Sequence, residues 1–286
     1  MEISRNQFKE KIMKLVFLVT AMASIIAVIV ICGFLFVNGV PAIKEIGVKE
    51  FLLGMEWLPM QEIFGILPMI VGSIYVTAGA IIIGVPIGIF SAVYLVRFCN
   101  EKVYKIVKPA VELMAGIPSI VYGFFGLVVI VPAFQTIFGG SGKGLLTASL
   151  LLGIMILPTI ISVVESSLRA VPEHYYEGAL ALGATRERSM FFVTLPAAKS
   201  GVLAGVALGI GRAIGETMAV VMVAGNQPII PDSILSGVRT MTSNVVLEMG
   251  YASGLHREAL IATAVVLFVF ILLINLSFSA LKRRAE

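Results

Sequence analysis

Charge is what this 286-residue sequence has least of. Only 13% of its residues are Asp, Glu, Lys or Arg, while 58% are hydrophobic; a soluble domain carries about 25% charged residues. With a mean hydropathy of +1.01, such a chain cannot wrap one core in a solvated surface, which excludes an ordinary soluble enzyme. Its wealth of Leu, Ile, Val and Phe equally excludes an intrinsically disordered chain. Cysteine is scarce too, with Cys32 inside an apolar run and Cys99 in a basic stretch. These read as two free thiols, not a disulfide framework. The two histidines, His174 and His256, fall in expected loops without metal-ligand company and read as solvated. No Walker-type loop, nucleophile–base pair or metal cluster is present, so no catalytic, metal or cofactor site is expected on this chain. The thirteen methionines read as core filling.

What is present is long uncharged runs. A bilayer core of about 30 Å needs roughly 20 apolar residues of helix. Six runs qualify, at about 15–37, 66–96, 113–138, 145–164, 201–224 and 259–281. The first is too long for a signal-peptide core and lacks a small-residue cleavage pattern after it, so it reads as a retained helix. The fold class expected is therefore an all-α polytopic membrane protein with one transmembrane domain over 15–281. It is flanked by an N-terminal segment (1–14) and a short tail (282–286).

Basic residues give the orientation. Fifteen of the twenty-one Lys and Arg fall on one side of this arrangement and five on the other, with Arg212 inside the fifth run. The positive-inside bias puts the fifteen, and both termini, in the cytoplasm, which agrees with an even number of spans. Basic character is thus spent on topology, and no basic patch interleaved with aromatics suggests nucleic acid.

Segments between the runs carry more than connection. Lys102–Lys108 alternates charge with Val103, Ile106 and Val107 at helical spacing and suits a helix lying in the interface. In the long external segment, Asp232 or Ser233 is placed to cap a helix from Ile234, with a plain solvent loop the equal alternative there, and Thr242 or Ser243 to cap another ending before Gly250. The second and third runs are rich in Gly and Pro, which permits close helix approach and breaks that line a cavity. Between the fourth and fifth runs, at 165–200, Pro172 suits a helix start and Gly183 its end; Thr185 then caps a second short helix that Pro196 closes or hands to the fifth run. This makes a cytoplasmic knob.

That knob carries a resemblance. Glu177-Gly178-Ala179, three residues, Gly183, nine residues and Val193-Thr194-Leu195-Pro196 resemble the E-A-A-x3-G-x9-I-x-L-P loop of ABC importer permeases. Gly178 replaces Ala and Val193 replaces Ile. The stretch Gly211–Ala219, with Arg212, Glu216, Thr217 and Met218, resembles the fifth-span signature of phosphate importer permeases, and Gly116–Gly123 their third-span motif. Leu247–Leu260 is similar to the PstC type more than to its PstA partner. The resemblance covers nearly the whole chain. It implies a type I ABC importer permease fold in a prokaryotic plasma (inner) membrane, and a heterodimeric pore with a PstA-like subunit. It also implies a PstB-like ATPase dimer that holds ATP and Mg, and a PstS-like external phosphate binder. Glu177, Gly178, Ala179, Gly183, Leu195 and Pro196 would then couple to the ATPase.

The residues suit an oxyanion path. A charge inside a span is costly and faces a cavity or a partner. Arg212 offers a planar fork of donors to an oxyanion, and Glu216, four residues on, is expected on the same helix face. Two readings of this pair stand side by side. One is a path in which Glu216 tempers Arg212 or accepts a hydrogen bond from protonated phosphate; the other is an internal ion pair that only neutralises buried charge. Ser119, Tyr122 and Thr217 offer hydroxyls either to the ion or to nearby backbone. A sulfate, molybdate or phosphonate permease is the nearest alternative. An ion-coupled transporter or channel leaves the coupling loop unexplained.

Overall fold

The computed structural model describes residues 2–283. The chain is almost entirely helical. In order it forms α1 (Glu2–Ile46), α2 (Val48–Leu53), a two-stranded hairpin of β1 (Trp57–Leu58) and β2 (Ile63–Phe64), and α3 (Leu67–Val93). There follow α4 (Glu101–Gly116), α5 (Ser119–Phe125), α6 (Val131–Phe138), α7 (Leu145–Arg169), α8 (Glu173–Ala181), α9 (Arg186–Ser189) and α10 (Leu195–Ala197). The last four are α11 (Lys199–Gly215), α12 (Met218–Val223), α13 (Met241–Glu248) and α14 (Gly254–Arg283). Single π turns extend α3 through Phe98, join α5 to α6, and join α9 to α10. Of the C-terminal tail read at 282–286, residues 284–286 lie outside the described residues.

Among the described residues, five helical stretches are long and apolar enough to cross a bilayer, or six if α9–α11, bent by 75°, is one span. The centre is α7, whose Leu151, Leu152, Met155, Ile156, Ile160, Val164 and Leu168 are all essentially inaccessible. Small residues set its packing. A Cβ on Gly84 would lie 2.7 Å from Ile156 Cγ1, and one on Gly88 2.7 Å from Ile160 Cγ2. Only glycine therefore lets α3 and α7 approach this closely. Because contacts ascend together along both helices, α3 and α7 run parallel. Against the other face of α7, Gly205 meets Val163 and Val164 while Gly209 meets Ile160, so α11 runs antiparallel to it. The α5–α6 segment is antiparallel to α7 as well, with Gly126 against Leu151 and Gly142 close to Thr147. Finally α1 and α14 cross antiparallel through Gly39–Val265 and an edge-on Phe36–Phe268 pair.

These directions place the ends of α3 and α7, the start of α11 and all of α8–α10 at one end of the bundle, the end that carries most of the basic residues. The hairpin, the 226–250 segment and the start of α14 lie at the opposite end. From Leu15 to Ile31 the side chains of α1 are exposed on all sides, an apolar surface that a bilayer would solvate.

Several local expectations change. The interfacial helix is longer than 102–108: α4 is a 16-residue helix capped by Asn100, whose Oδ1 accepts from Val103 N at 2.8 Å. It absorbs 113–116, and the apolar helix after the Ile117-Pro118 break starts at Ser119. No helix begins at Ile234, because Ser233 instead closes a local turn onto Leu235 and Ser236. The cap of α13 is Thr240, not Thr242 or Ser243: its extended backbone lets Oγ1 accept from Ser243 N. His256 is not solvated. It sits in α14 with its side chain 15% exposed and meets Glu248 Oε2 at 2.9 Å. Glu248, also buried, accepts from Trp57 Nε1 (2.8 Å) and from Arg239 Nη1 (2.6 Å). One carboxylate thus ties together the hairpin, the 226–240 loop, α13 and α14.

Candidate functional site

Arg212 and Glu216 do not share a continuous helix. Helix α11 stops at Gly215, Glu216 is extended (φ −70°, ψ 132°), and α12 starts at Met218. The break redirects Glu216. Its Oε1 accepts from the backbone N–H of Thr217 (3.1 Å) and Ala219 (3.3 Å), capping α12, and its carbonyl accepts from Thr242 Oγ1 of α13 at 3.0 Å. Among the described residues Arg212 makes no ion pair. Its Nη1 donates to Thr159 Oγ1 of α7 at 3.1 Å, its one hydrogen-bond partner among the described residues. Of the two readings of the pair, the internal ion pair does not form. A carboxylate two residues before a helix start finds unpaired backbone N–H groups closer than a guanidinium one turn back. Half-buried Arg212 keeps the Nε–Nη2 edge of its fork free.

The three hydroxyls separate. Tyr122 is buried and donates to Met114 O at 2.9 Å, and Thr217 Oγ1 donates to Gly215 O at 3.2 Å; both satisfy backbone. Ser119, half-buried in the first turn of α5, has no such partner within the described residues. Helix α5 packs on α12, with Gly123 against Ala219. The start of α5, the end of α11 and the α11–α12 break thus converge. Thr159 and Thr242 were not legible as site residues, since a hydroxyl in an apolar run carries no sequence signal of the partner it meets.

At the basic end, α8 forms the expected knob. Gly183 (φ +87°) ends it in a Schellman arrangement: Ala184 N–H donates to Ala179 O at 3.1 Å and Gly183 N–H to Leu180 O at 2.9 Å. Thr185 caps α9 through a bond from Arg188 N–H. Glu177 and Gly178 point outward, Ala179 is half-buried, Leu182 is 91% exposed and Phe192 74%. Leu195 is half-buried and Pro196 exposed. These residues present an apolar tip that the bundle does not cover. Beneath it Glu165, 3% exposed, accepts from Tyr104 (2.8 Å), Lys108 (2.9 Å) and Arg169 (3.0 Å), clipping α4 to α7. Burial works against the Lys108 ammonium, but its bond to Glu165 together with the charges of Glu165 and Glu112 leaves it above its ordinary pKa.

Residues 84–286 match the family described as binding-protein-dependent transport system inner membrane component. Among curated proteins, the chain is 38% identical over 266 residues to "Probable ABC transporter permease protein YqgH" of Bacillus subtilis (strain 168), covering 89% of this chain and 86% of that one. It is 38% identical to "Phosphate transport system permease protein PstC" of Pasteurella multocida (strain Pm70), covering 77% and 75%. To the protein of the same description in Mesorhizobium japonicum (strain LMG 29417 / CECT 9101 / MAFF 303099) it is 36% identical, covering 91% and 86%. Among solved structures, a bacterial alginate ABC transporter chain superposes with TM-score 0.68 at 15% identity, covering 94% of each chain. A chain of the inward-facing MetNI methionine ABC transporter does so with TM-score 0.64 at 22% identity, covering 81% of this chain and all of that one. The chain belongs to the binding-protein-dependent transport system inner membrane component family and has the fold of type I ABC importer permeases.

Proposed function

We propose that this chain is the PstC-type permease subunit of an ATP-driven importer that moves inorganic phosphate. The observation that carries the reading is the unpaired Arg212, held by Thr159 at a helix break with one edge of its guanidinium free. An arginine in an apolar span that neutralises no carboxylate has an oxyanion as its natural partner. Curated relatives described as phosphate permeases, 36–38% identical over most of the chain, support the same substrate.

In this reading the pathway is formed with a PstA-like second permease subunit, and a PstS-like binder delivers phosphate at the 226–250 end. The apolar knob, through Glu177, Gly178, Ala179 and Gly183, docks against a PstB-like ATPase dimer that carries ATP and Mg. The knob end and both termini then lie in the cytoplasm, as the basic residues require. Ser119 is the pathway hydroxyl free to meet the ion, while Tyr122 and Thr217 shape the wall. Glu216 holds the break open by capping α12 and leaves Arg212 undiminished. Hydrogen bonding from protonated phosphate to its second carboxylate oxygen would favour phosphate over fully ionised sulfate. Phosphate uptake by cells carrying the assembled system tests this. Arsenate should compete and sulfate should not; competition by sulfate as strong as by arsenate would reassign the substrate.

A further inference from the structure

The rear of the docking helix is fastened to the end of α3 by a charged side chain. Arg97 lies in the π turn that ends α3, with its side chain 16% exposed. Its Nη1 and Nη2 donate to Glu173 Oε1 and Oε2 at 2.7 and 2.8 Å, a bidentate pair, and its guanidinium carbon sits 4.2 Å over the ring of Tyr176. Glu173 and Tyr176 are three residues apart on α8 and so share a face, the one opposite the exposed His174 and Gly178. A lysine could match neither the fork nor the stacking.

We infer that Arg97 is the positioning residue through which α8 moves the membrane body of the protein. This rests on the proposed docking of α8 against an ATPase. The body is α3 packed on α7 through Gly84 and Gly88; α4 is clipped to it by Glu165, and Thr159 on it grips Arg212. A shift of α8 pulls Arg97, α3 and α7 follow as one unit, and Thr159 carries Arg212 with them. The Arg97 hydrogen bond holds the Glu173 carboxyl below the usual carboxylate range, so the clamp is charged and complete at neutral pH.

The test uses the full complex with its second permease subunit, ATPase and binding protein, reconstituted in vesicles. Arg97→Gln and Glu173→Gln are measured beside the exchange Arg97→Glu with Glu173→Arg. Glu173 is more than half exposed, so Glu173→Gln tests the clamp without threatening the fold. Both single variants should keep the ATPase bound and hydrolysing, while phosphate taken up per ATP hydrolysed falls at least about fivefold, the low end of site-to-site coupling. The exchange should restore most of that ratio. Parental uptake per ATP in both single variants overturns the inference, as does reduced complex yield with the ratio unchanged, which marks a merely structural clamp. Leu182→Asp separates the premise: if the ATPase still co-purifies with that variant, the docking assignment itself fails.

Discussion

Replacing Arg212 with Ala isolates the oxyanion contact from the fold. Because Arg212 has no ionic partner and one neutral one, Thr159, its removal leaves no buried charge orphaned. The loss in stability should stay near ~1 kcal/mol, because removing a charge from an apolar span offsets most of one charge-assisted hydrogen bond. The loss in transport should be larger. The free Nε–Nη2 edge offers a charge-assisted bidentate contact, worth about 1.5–3 kcal/mol. At about 1.36 kcal/mol per factor of ten, uptake efficiency should fall by roughly 10- to 150-fold. Arg212→Lys keeps the charge but not the fork and should recover only part of that loss. The assay is initial-rate uptake of labelled phosphate by membranes matched for assembled complex, with thermal denaturation of the purified complex in parallel. Near-parental uptake, or a loss that tracks denaturation temperature, would show that the arginine is structural.

Glu216→Gln keeps an acceptor for the Thr217 and Ala219 N–H groups and removes the negative charge. Sulfate should begin to compete with phosphate; unchanged sulfate competition removes Glu216 from selectivity. Glu248→Ala strips Trp57, Arg239 and His256 of their common acceptor and leaves a buried cation, a loss of about 3–5 kcal/mol. The denaturation midpoint should drop by roughly 5–15 °C, and a change under about 2 °C would refute the hub. Gly183→Val places a β-branched residue at φ +87°, strain of about 1–3 kcal/mol where the added Cβ meets nothing within 4 Å. The turn should rearrange, so the chain still inserts but fails to retain its ATPase on co-purification.

Much of this was legible because bilayer physics writes itself along the chain. The apolar runs and the knob bounded by Pro172, Gly183 and Thr185 follow from local rules that tertiary structure does not override. The capping of α13 was harder, since Thr240, Thr242 and Ser243 are equally good acceptors and only backbone conformation chooses among them. Arg212 and Glu216 were recognisable as a pair of interest, but four-residue spacing assumes an unbroken helix, and the break at Glu216 gave the carboxylate closer donors. Thr159, Arg97 and Glu165 stayed hidden because their partners lie 53, 76 and 57 residues away in sequence. Periodicity reports a face, never the side chain it will meet.

The central claim is that ATP, not an ion gradient, drives phosphate through a path containing this chain. Proteoliposomes holding the complete complex, with ATP trapped on the ATPase side and binding protein on the other, measure it directly. Labelled phosphate should accumulate only when both are present, should persist when ion gradients are collapsed, and should be displaced by arsenate but not by sulfate. Accumulation without ATP, or its abolition by collapsing an ion gradient while ATP remains, would contradict the account.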